Sequence, residues 1–370
     1  MRTLVVSDLH LGRTEHTDLL RRADLREPLL EAIADADRFV ILGDGLELRE
    51  AAHRDAMDVA APFFAAVGEA LGPDKELIML AGNHDHGIAA GYIDARLQTE
   101  PAGFLGLEER FAPEDAGPLA RRLAETARPA RLRFAYPGIW LRDDVYAIHG
   151  HYADVHATVP TFERLAAGTM ARYVAKLPAH GATADDYEAV LSPLYAWLHA
   201  LTQRADHTVV SIGGSASAST YEKLTASDRH KHPRTLALGA GYRAAVFALN
   251  RAGLGPLEAG LSPSALRRGY LSGIRAVIER LDIRARHVIW GHSHRSGPWP
   301  GDDLGEWTAA TGARIVNTGS WTYQRHFLSP EPNGSPYWPG TAVVVDDDGP
   351  PRLVRLLGER GHEVLRPRRG

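Results

Sequence analysis

Short apolar runs punctuate the first half of the chain and alternate with longer stretches of helical spacing. Thr3 to Val6, Arg38 to Leu42, Glu76 to Leu80, Ile139 to Leu141 and Val145 to Ile148 are dominated by β-branched and large apolar side chains and read as strands. Between the second and third of them, Ala51 to Leu71 has a helical period and stops at Gly72-Pro73. This alternation predicts an α/β fold in which strands and helices form layers. Strand pattern returns at His287 to Trp290, Ala313 to Val316 and Thr341 to Val345. Turn residues Asp346 to Gly349 and a further run, Arg352 to Leu357, then complete the pattern of a hairpin.

Two stretches interrupt this pattern. Tyr92 to Arg128 is mostly helical, and a longer stretch from Tyr152 to Arg284 has apolar helical faces at Asp185 to Thr202, Arg234 to Ala252 and Pro263 to Leu281. An interruption of roughly 130 residues far exceeds an ordinary loop and predicts structure of its own. The expected organisation is an α/β core over residues 1–151, with a helical excursion at 92–130. A helical insertion or cap at 152–285 follows, and the core resumes at 286–370. The basic tail Arg366 to Gly370 reads as a frayed end.

The 370 residues are 44% hydrophobic and 24% charged, which is ordinary for a globular protein. A net charge of -4 provides no general attraction to nucleic acid or to an anionic membrane, and nucleic acid is not the expected partner. The absence of cysteine removes disulfides and thiolate metal sites and fits a reducing compartment. Any metal must therefore be held by His, Asp, Glu or Asn. Met1-Arg2 leads straight into strand pattern with no signal-like apolar run, and no stretch approaches the roughly 18 apolar residues of a spanning helix. The expectation is a cytoplasmic protein without a transmembrane segment.

The chemistry lies where the strand patterns stop. Ser7-Asp8-Leu9-His10 follows the first strand, Gly43-Asp44 the second, and Gly82-Asn83-His84-Asp85 the third. His149-Gly150-His151 follows Val145 to Ile148, and Gly291-His292-Ser293-His294 follows His287 to Trp290. Polar groups at the ends of buried strands are costly unless something pairs with them, and ligands bind at the carboxyl ends of strands in layered α/β proteins. Carboxylates Asp8 and Asp44, carboxamide Asn83, and imidazoles His10, His149, His292 and His294 are all hard or borderline metal ligands. Seven exceed one tetrahedral site but suit two metals sharing a carboxylate. Two ions about 3.5 to 4 Å apart can hold a bridging hydroxide and clamp a phosphoryl group during in-line displacement.

In that order, Asp8-x-His10, Gly43-Asp44, Gly82-Asn83-His84-Asp85, His149-Gly150-His151 and Gly291-His292-x-His294 resemble the motif set of the calcineurin-like metallophosphoesterases. The likeness covers the core and leaves the helical insertion out. It implies two packed β-sheets flanked by helices. It also implies one metal on Asp8, His10 and His294, a second on Asn83, His149 and His292, and Asp44 bridging them. His84 would stabilise the transferring phosphoryl group or protonate the leaving oxygen, with Asp85 orienting its ring. Gly43-Asp44-Gly45-Leu46-Glu47 departs from the Gly-Asp-x-x-Asp-Arg-Gly of the protein Ser/Thr phosphatases. Ser7 to Gly12, Glu47 and Asn317 to Trp321 are more similar to the bacterial branch that includes UDP-diacylglucosamine pyrophosphohydrolases.

The resulting expectation is a phosphoesterase that hydrolyses a mono- or diester of a small or medium phosphorylated metabolite by attack of a metal-bridging hydroxide. Mn is the first choice of metal, with Fe, Zn, Co or Ni as alternatives. The competing readings are a nuclease and a non-catalytic scaffold. His151 is read either as a phosphate contact or as a support to the ligands, His86 as a loop residue and Arg13 as solvent-exposed. Ser211 to Ser219 reads as a flexible connection and Arg229 to Arg234 as a solvated basic loop.

Overall fold

The computed structural model describes residues 1–50, 52–99, 103–204, 233–260 and 262–367. The chain divides into two compact units. One comprises Met1–Gly150, Arg284–Trp307 and Gly312–Gly370, and the other His151–Ile283 with Thr308–Thr311.

In the first unit, β1 (Thr3–Val6), β2 (Arg38–Leu42) and β3 (Glu76–Leu80) run parallel to one another and to the first half of β5 (Arg131–Arg142). β1 and β2 are buried along their whole length, as is β3 beyond Glu76. That explains why they read as unbroken apolar runs rather than alternating ones. The second half of β5 pairs antiparallel with β6 (Val145–Ile148), which is followed by parallel β7 (His287–Trp290) and β8 (Arg314–Asn317). β9 (Thr341–Val345) lies antiparallel to β1 and forms the expected hairpin with β10 (Arg352–Arg355).

β5 is the pivot of this arrangement. Its residues 131–135 belong to one half of a ten-stranded sheet and its residues 138–142 to the other, with a register shift between Trp140 and Arg142. Val5, Val40, Ile78 and Val343 from the first half share one buried apolar cluster with Ile139, Val145, Ile289 and Val316 from the second. The two packed sheets expected from the sequence are thus halves of one strand path joined through β5. The chain leaves this path after β6 and returns beside it as β7.

α1 (Ala23–Ala34) and α2 (His53–Leu71) flank the sheet with α3 (Gly87–Leu97), α4 (Pro113–Ala116) and α5 (Pro118–Thr126). α2 buries Ala56, Met57, Ala60, Phe63, Phe64, Val67 and Leu71, a stripe at three- and four-residue spacing that the period anticipated. The excursion at 92–130 is not wholly helical, because Glu108–Phe111 forms β4 antiparallel to β5. Its sequence, Glu-Glu-Arg-Phe, is too short and too charged for an apolar alternation to show.

The second unit contains α6 (Phe162–Tyr173), α7 (Ala184–Arg204), α8 (Pro233–Arg251) and α9 (Pro263–Arg280). Thr161 caps α6 by accepting from the Arg164 amide. Ser262 does the same for α9 from Ala265, with Pro263 preset in the first turn. The chain between β6 and α6 contributes Tyr152, stacked on Tyr187 at 4.6 Å, and its hydroxyl donates to Glu188 at 2.6 Å. The segments at 211–219 and 229–232 lie outside the described residues, as do the side chains of Pro233 and Arg234. Among the described residues, no helix is long and apolar enough to cross a membrane. α10 (His362–Leu365) closes the first unit.

Burial pushes His156 down to about 3, helped by Arg280 and Arg164, while its Nε2 sits 2.8 Å from the Tyr187 hydroxyl. The unfolded chain takes up this proton below its ordinary 6.5, whereas the folded one refuses it until about 3. Stability should therefore fall as pH drops through that window, by up to about 1.4 kcal/mol per unit. Urea unfolding at several pH values should show a shallower acid slope for His156→Gln, and equal slopes would contradict this.

Candidate metal centre

Parallel strands deliver the polar motifs to one end of the first unit. The loops after β1 and β2 are tied together, since Asp8 N donates to Gly43 O at 3.1 Å and His10 N to Asp44 O at 2.8 Å. Gly291 N donates to His149 O at 3.0 Å, which joins the loops after β6 and β7. Asp8, His10, Asp44, His292 and His294 all adopt positive φ, between 47° and 65°. Asp and His tolerate the left-handed region better than most residues, yet each such position costs of order 1 kcal/mol or more. Five together are a substantial share of a domain's stability, so the surrounding hydrogen bonds must over-determine these loops.

The side chains converge. Asp8, His10 and His294 form one group whose ligand atoms lie within 4.8 Å of one another, Asp44, His149 and His292 form another, and His10, Asp44 and His84 form a third that overlaps both. Asp44 Oδ2 stands 3.6 Å from His10 Nε2 and 3.4 Å from His149 Nε2, so it faces both groups. Asn83 Oδ1 lies 3.3 Å from His149 Nε2 and 3.1 Å from His292 Nδ1. All seven ligands anticipated from the sequence are therefore brought together.

The donor set fits cations rather than a hydrogen-bonded core. His10 Nε2 and His294 Nε2 approach to 3.0 Å, and two imidazole lone pairs repel unless a proton or cation lies between them. Asp8 Oδ1 is buried with the His294 Nε2 beside it, 3.3 Å away, and its other oxygen accepts from the His292 amide at 2.9 Å and from the Ser7 hydroxyl. The tautomers agree with this. Leu42 O can only accept, so His149 Nδ1, 2.9 Å away, carries a hydrogen and a neutral ring directs its Nε2 lone pair inward. Glu47 plays the same part for His10, 3.1 Å from Nδ1.

Burial first, and the neighbouring His84 second, push His10 down to about 4, which keeps it neutral as a ligand must be. His149 is opposite. Burial opposes its charge, but Asp44 and Asp8 outweigh burial and raise it to about 10. Without a cation, the ring's proton compensates Asp44, whose carboxyl lies well below the usual range against the penalty of its burial.

The structure corrects the role expected for Asp85. Rather than orienting the His84 ring, its Oδ1 accepts from the amides of Gly82 at 2.7 Å and Asp44 at 3.2 Å. Its Oδ2 accepts from Gly45 at 2.8 Å and Leu46 at 3.2 Å. Burial and the neighbouring Asp44 raise Asp85 to about 7, against the pull of those amides. The partner of His84 is Glu47, with a carboxylate oxygen 2.8 Å from Nδ1. Burial opposes charge on His84, but Glu47 and Asp44 raise it above its ordinary value. The only signal for Glu47 in the sequence was its place three residues after Asp44.

The other singled-out residues have these surroundings. His151 packs edge-on against Tyr152 and Tyr195 in the second unit. His86 precedes α3 and meets Tyr136 edge-on at 5.9 Å. Arg13, expected in solvent, is instead largely buried and paired with Glu50 at 3.2 Å.

Fold and site together define a metal-dependent phosphoester hydrolase. The calcineurin-like phosphoesterase family model matches residues 1–200, more than half of the chain, and the chain belongs to that family. Among solved structures, a dimetal phosphatase from Danio rerio is similar over 96% of this chain and 99% of its own, at 11% identity and a TM-score of 0.32. So distant a likeness adds no weight to the assignment. No curated protein matches the chain.

Metal uptake should release about one proton per chain near neutral pH, because His149 must surrender its hydrogen, and apparent affinity should fall as pH is lowered. Calorimetry in buffers of different protonation enthalpy checks this, and equal heats would contradict it. Gly82 admits no side chain, since a Cβ would stand 2.2 Å from Asp44 Oδ1 and 2.7 Å from His149 Nε2. Gly82→Ala should lower metal content while leaving the circular dichroism spectrum folded.

Proposed function

We propose that this protein is a dinuclear phosphoesterase that hydrolyses a phosphate ester of a small or medium metabolite. Asp8, His10 and His294 would hold one ion, Asn83, His149 and His292 the other, and Asp44 would bridge them. The observation that carries this reading is the position of Asp44 Oδ2 between His10 Nε2 and His149 Nε2. The mixture of imidazole and oxygen donors suits Mn first, with Fe, Zn, Co or Ni next. When bound, such a pair supplies an activated water and neutralises charge on the transferring phosphoryl group.

The chain's own residues supply the rest. His84 is positioned as the general acid. Glu47 fixes its Nδ1, leaving Nε2 to meet the leaving oxygen, and the Glu47 and Asp44 carboxylates favour the protonated ring against its burial. The His84 side chain is 14% exposed, so it can reach a substrate held over the centre. Glu47 acts as a positioning residue, and Asp85 fixes the loop that presents Asp44. The lack of cysteine supports a cytoplasmic setting.

The test uses metal-loaded protein with p-nitrophenyl phosphate, bis-p-nitrophenyl phosphate and an alkyl phosphate. Metal-dependent turnover is expected, and none with both ions bound would reject the reading. His84→Ala should retain its metals and lose about 10² to 10⁴ in kcat on the alkyl ester. The loss should be smaller on p-nitrophenyl phosphate, whose leaving group needs less protonation. Equal losses on both esters would contradict the acid role.

A further inference from the structure

His294 differs from His10 and His149 in what stands behind its ring. All three turn Nε2 toward the centre. Behind His149 is the Leu42 carbonyl and behind His10 the ionised Glu47 carboxylate, and both can only accept, so each keeps a hydrogen on Nδ1. Behind His294 is the Gln324 carboxamide, with its Nε2 3.2 Å from the ring's Nδ1, and the Thr322 hydroxyl at 3.5 Å. A carboxamide presents donors on one side and an acceptor on the other. Gln324 is half-buried, and its backbone is held on either side, where Tyr323 N donates to Thr17 O at 2.8 Å and Phe327 N to Gln324 O at 3.0 Å. Its carboxamide can turn over without moving the loop.

These contacts form one directed chain. Because a neutral His10 carries its hydrogen on Nδ1, its Nε2 is a lone pair, and the 3.0 Å approach of His294 Nε2 requires the hydrogen between them to come from His294. Asp8 Oδ1, 3.3 Å from the same nitrogen, faces that hydrogen too. A neutral His294 with its hydrogen on Nε2 has a lone pair at Nδ1, and that is what the Gln324 NH₂ group meets. Contacts on opposite sides of the ring thus agree on one tautomer. It is the wrong tautomer for a ligand, since the nitrogen facing the centre is capped by a hydrogen. Holding a cation needs the hydrogen on Nδ1, and the NH₂ group would then oppose it, donor against donor. Turning the carboxamide over brings its oxygen to Nδ1 and removes the conflict.

We propose that Gln324 is a positioning residue whose carboxamide sets the tautomer of His294 and turns over when the ion on Asp8, His10 and His294 is taken up. With its NH₂ group toward the ring, Gln324 holds the hydrogen on Nε2, and with its oxygen toward the ring it supports the ligand form. The ring gives up one hydrogen at Nε2 and gains one at Nδ1, so it stays neutral and releases no net proton. His149 needs no such exchange, because Leu42 O keeps its Nδ1 hydrogen in place throughout. The switch therefore acts on one ion of the pair. This inference rests on the dinuclear reading above and concerns the uptake of one of its ions.

The experiment compares the full-length wild type with Gln324→Glu, whose carboxylate can only accept, after circular dichroism has verified folding. Long-range proton-nitrogen correlation spectra of the chelator-treated proteins, recorded above the ordinary histidine range, locate the ring hydrogen of His294, which is assigned by its loss in His294→Gln. Wild type should carry it on Nε2, whereas Gln324→Glu and wild type loaded with diamagnetic zinc should carry it on Nδ1. Calorimetric titration with zinc should show one of two uptake steps tightened about tenfold to a hundredfold in Gln324→Glu, with the other little changed. An Nδ1 hydrogen in chelator-treated wild type would overturn the proposal even if the variant failed to fold. Uptake unchanged in the variant, or both steps tightened equally as added charge alone would do, would overturn it as well. If wild type takes up fewer than two ions, the dinuclear reading fails, while the tautomers of the chelator-treated proteins still decide the role of Gln324.

Discussion

The first unit is organised around two buried carboxylates that must remain ionised. Asp8 and Asp44 lie at the ends of neighbouring parallel strands with imidazoles in place of water around them, and burial alone would drive protons onto both. Each resolves the conflict by dividing its oxygens. One accepts a backbone amide, from His292 for Asp8 and from His84 for Asp44, and the other faces the rings. The amide donors come from loops that themselves carry candidate ligands. The electrostatics of the centre and the conformation of its loops are therefore a single problem.

That coupling explains the left-handed residues and the carboxylates behind the ligands. Turning Asp8, His10, Asp44, His292 and His294 into the positive-φ region aims short side chains inward from strands that would otherwise carry them past one another. Asp85 holds the Asp44 loop by three amides and its own loop by the Gly82 amide, and Glu47 holds His10 and His84 by their rings. Ser7, tied to Asp8 and Thr318, completes this outer set. Loss of such supports typically costs about 10- to 100-fold in metal affinity or activity.

The convergence of the candidate ligands was legible in the sequence because each follows an apolar strand, and strand ends in a parallel sheet share one edge. Most strand bounds were legible for the same reason: burial on both faces writes an unbroken apolar run. The supporting residues were not. The family resemblance implied that Asp85 orients the His84 ring, but the loop turns its carboxylate onto backbone amides instead. Glu47 reaches His84 only because the loop after β2 folds back across the motif after β3, and no local pattern encodes that crossing. The burial of Arg13 depends likewise on Glu50, which is remote in sequence. β4 escaped notice because an edge strand of charged residues lacks an apolar alternation.

The central claim is that Asp44 is shared between two ions, and anomalous diffraction from metal-loaded crystals tests it most directly. The account predicts two anomalous peaks per chain about 3.5 to 4 Å apart, both within bonding distance of Asp44. A single peak, or two peaks of which only one contacts Asp44, would contradict it.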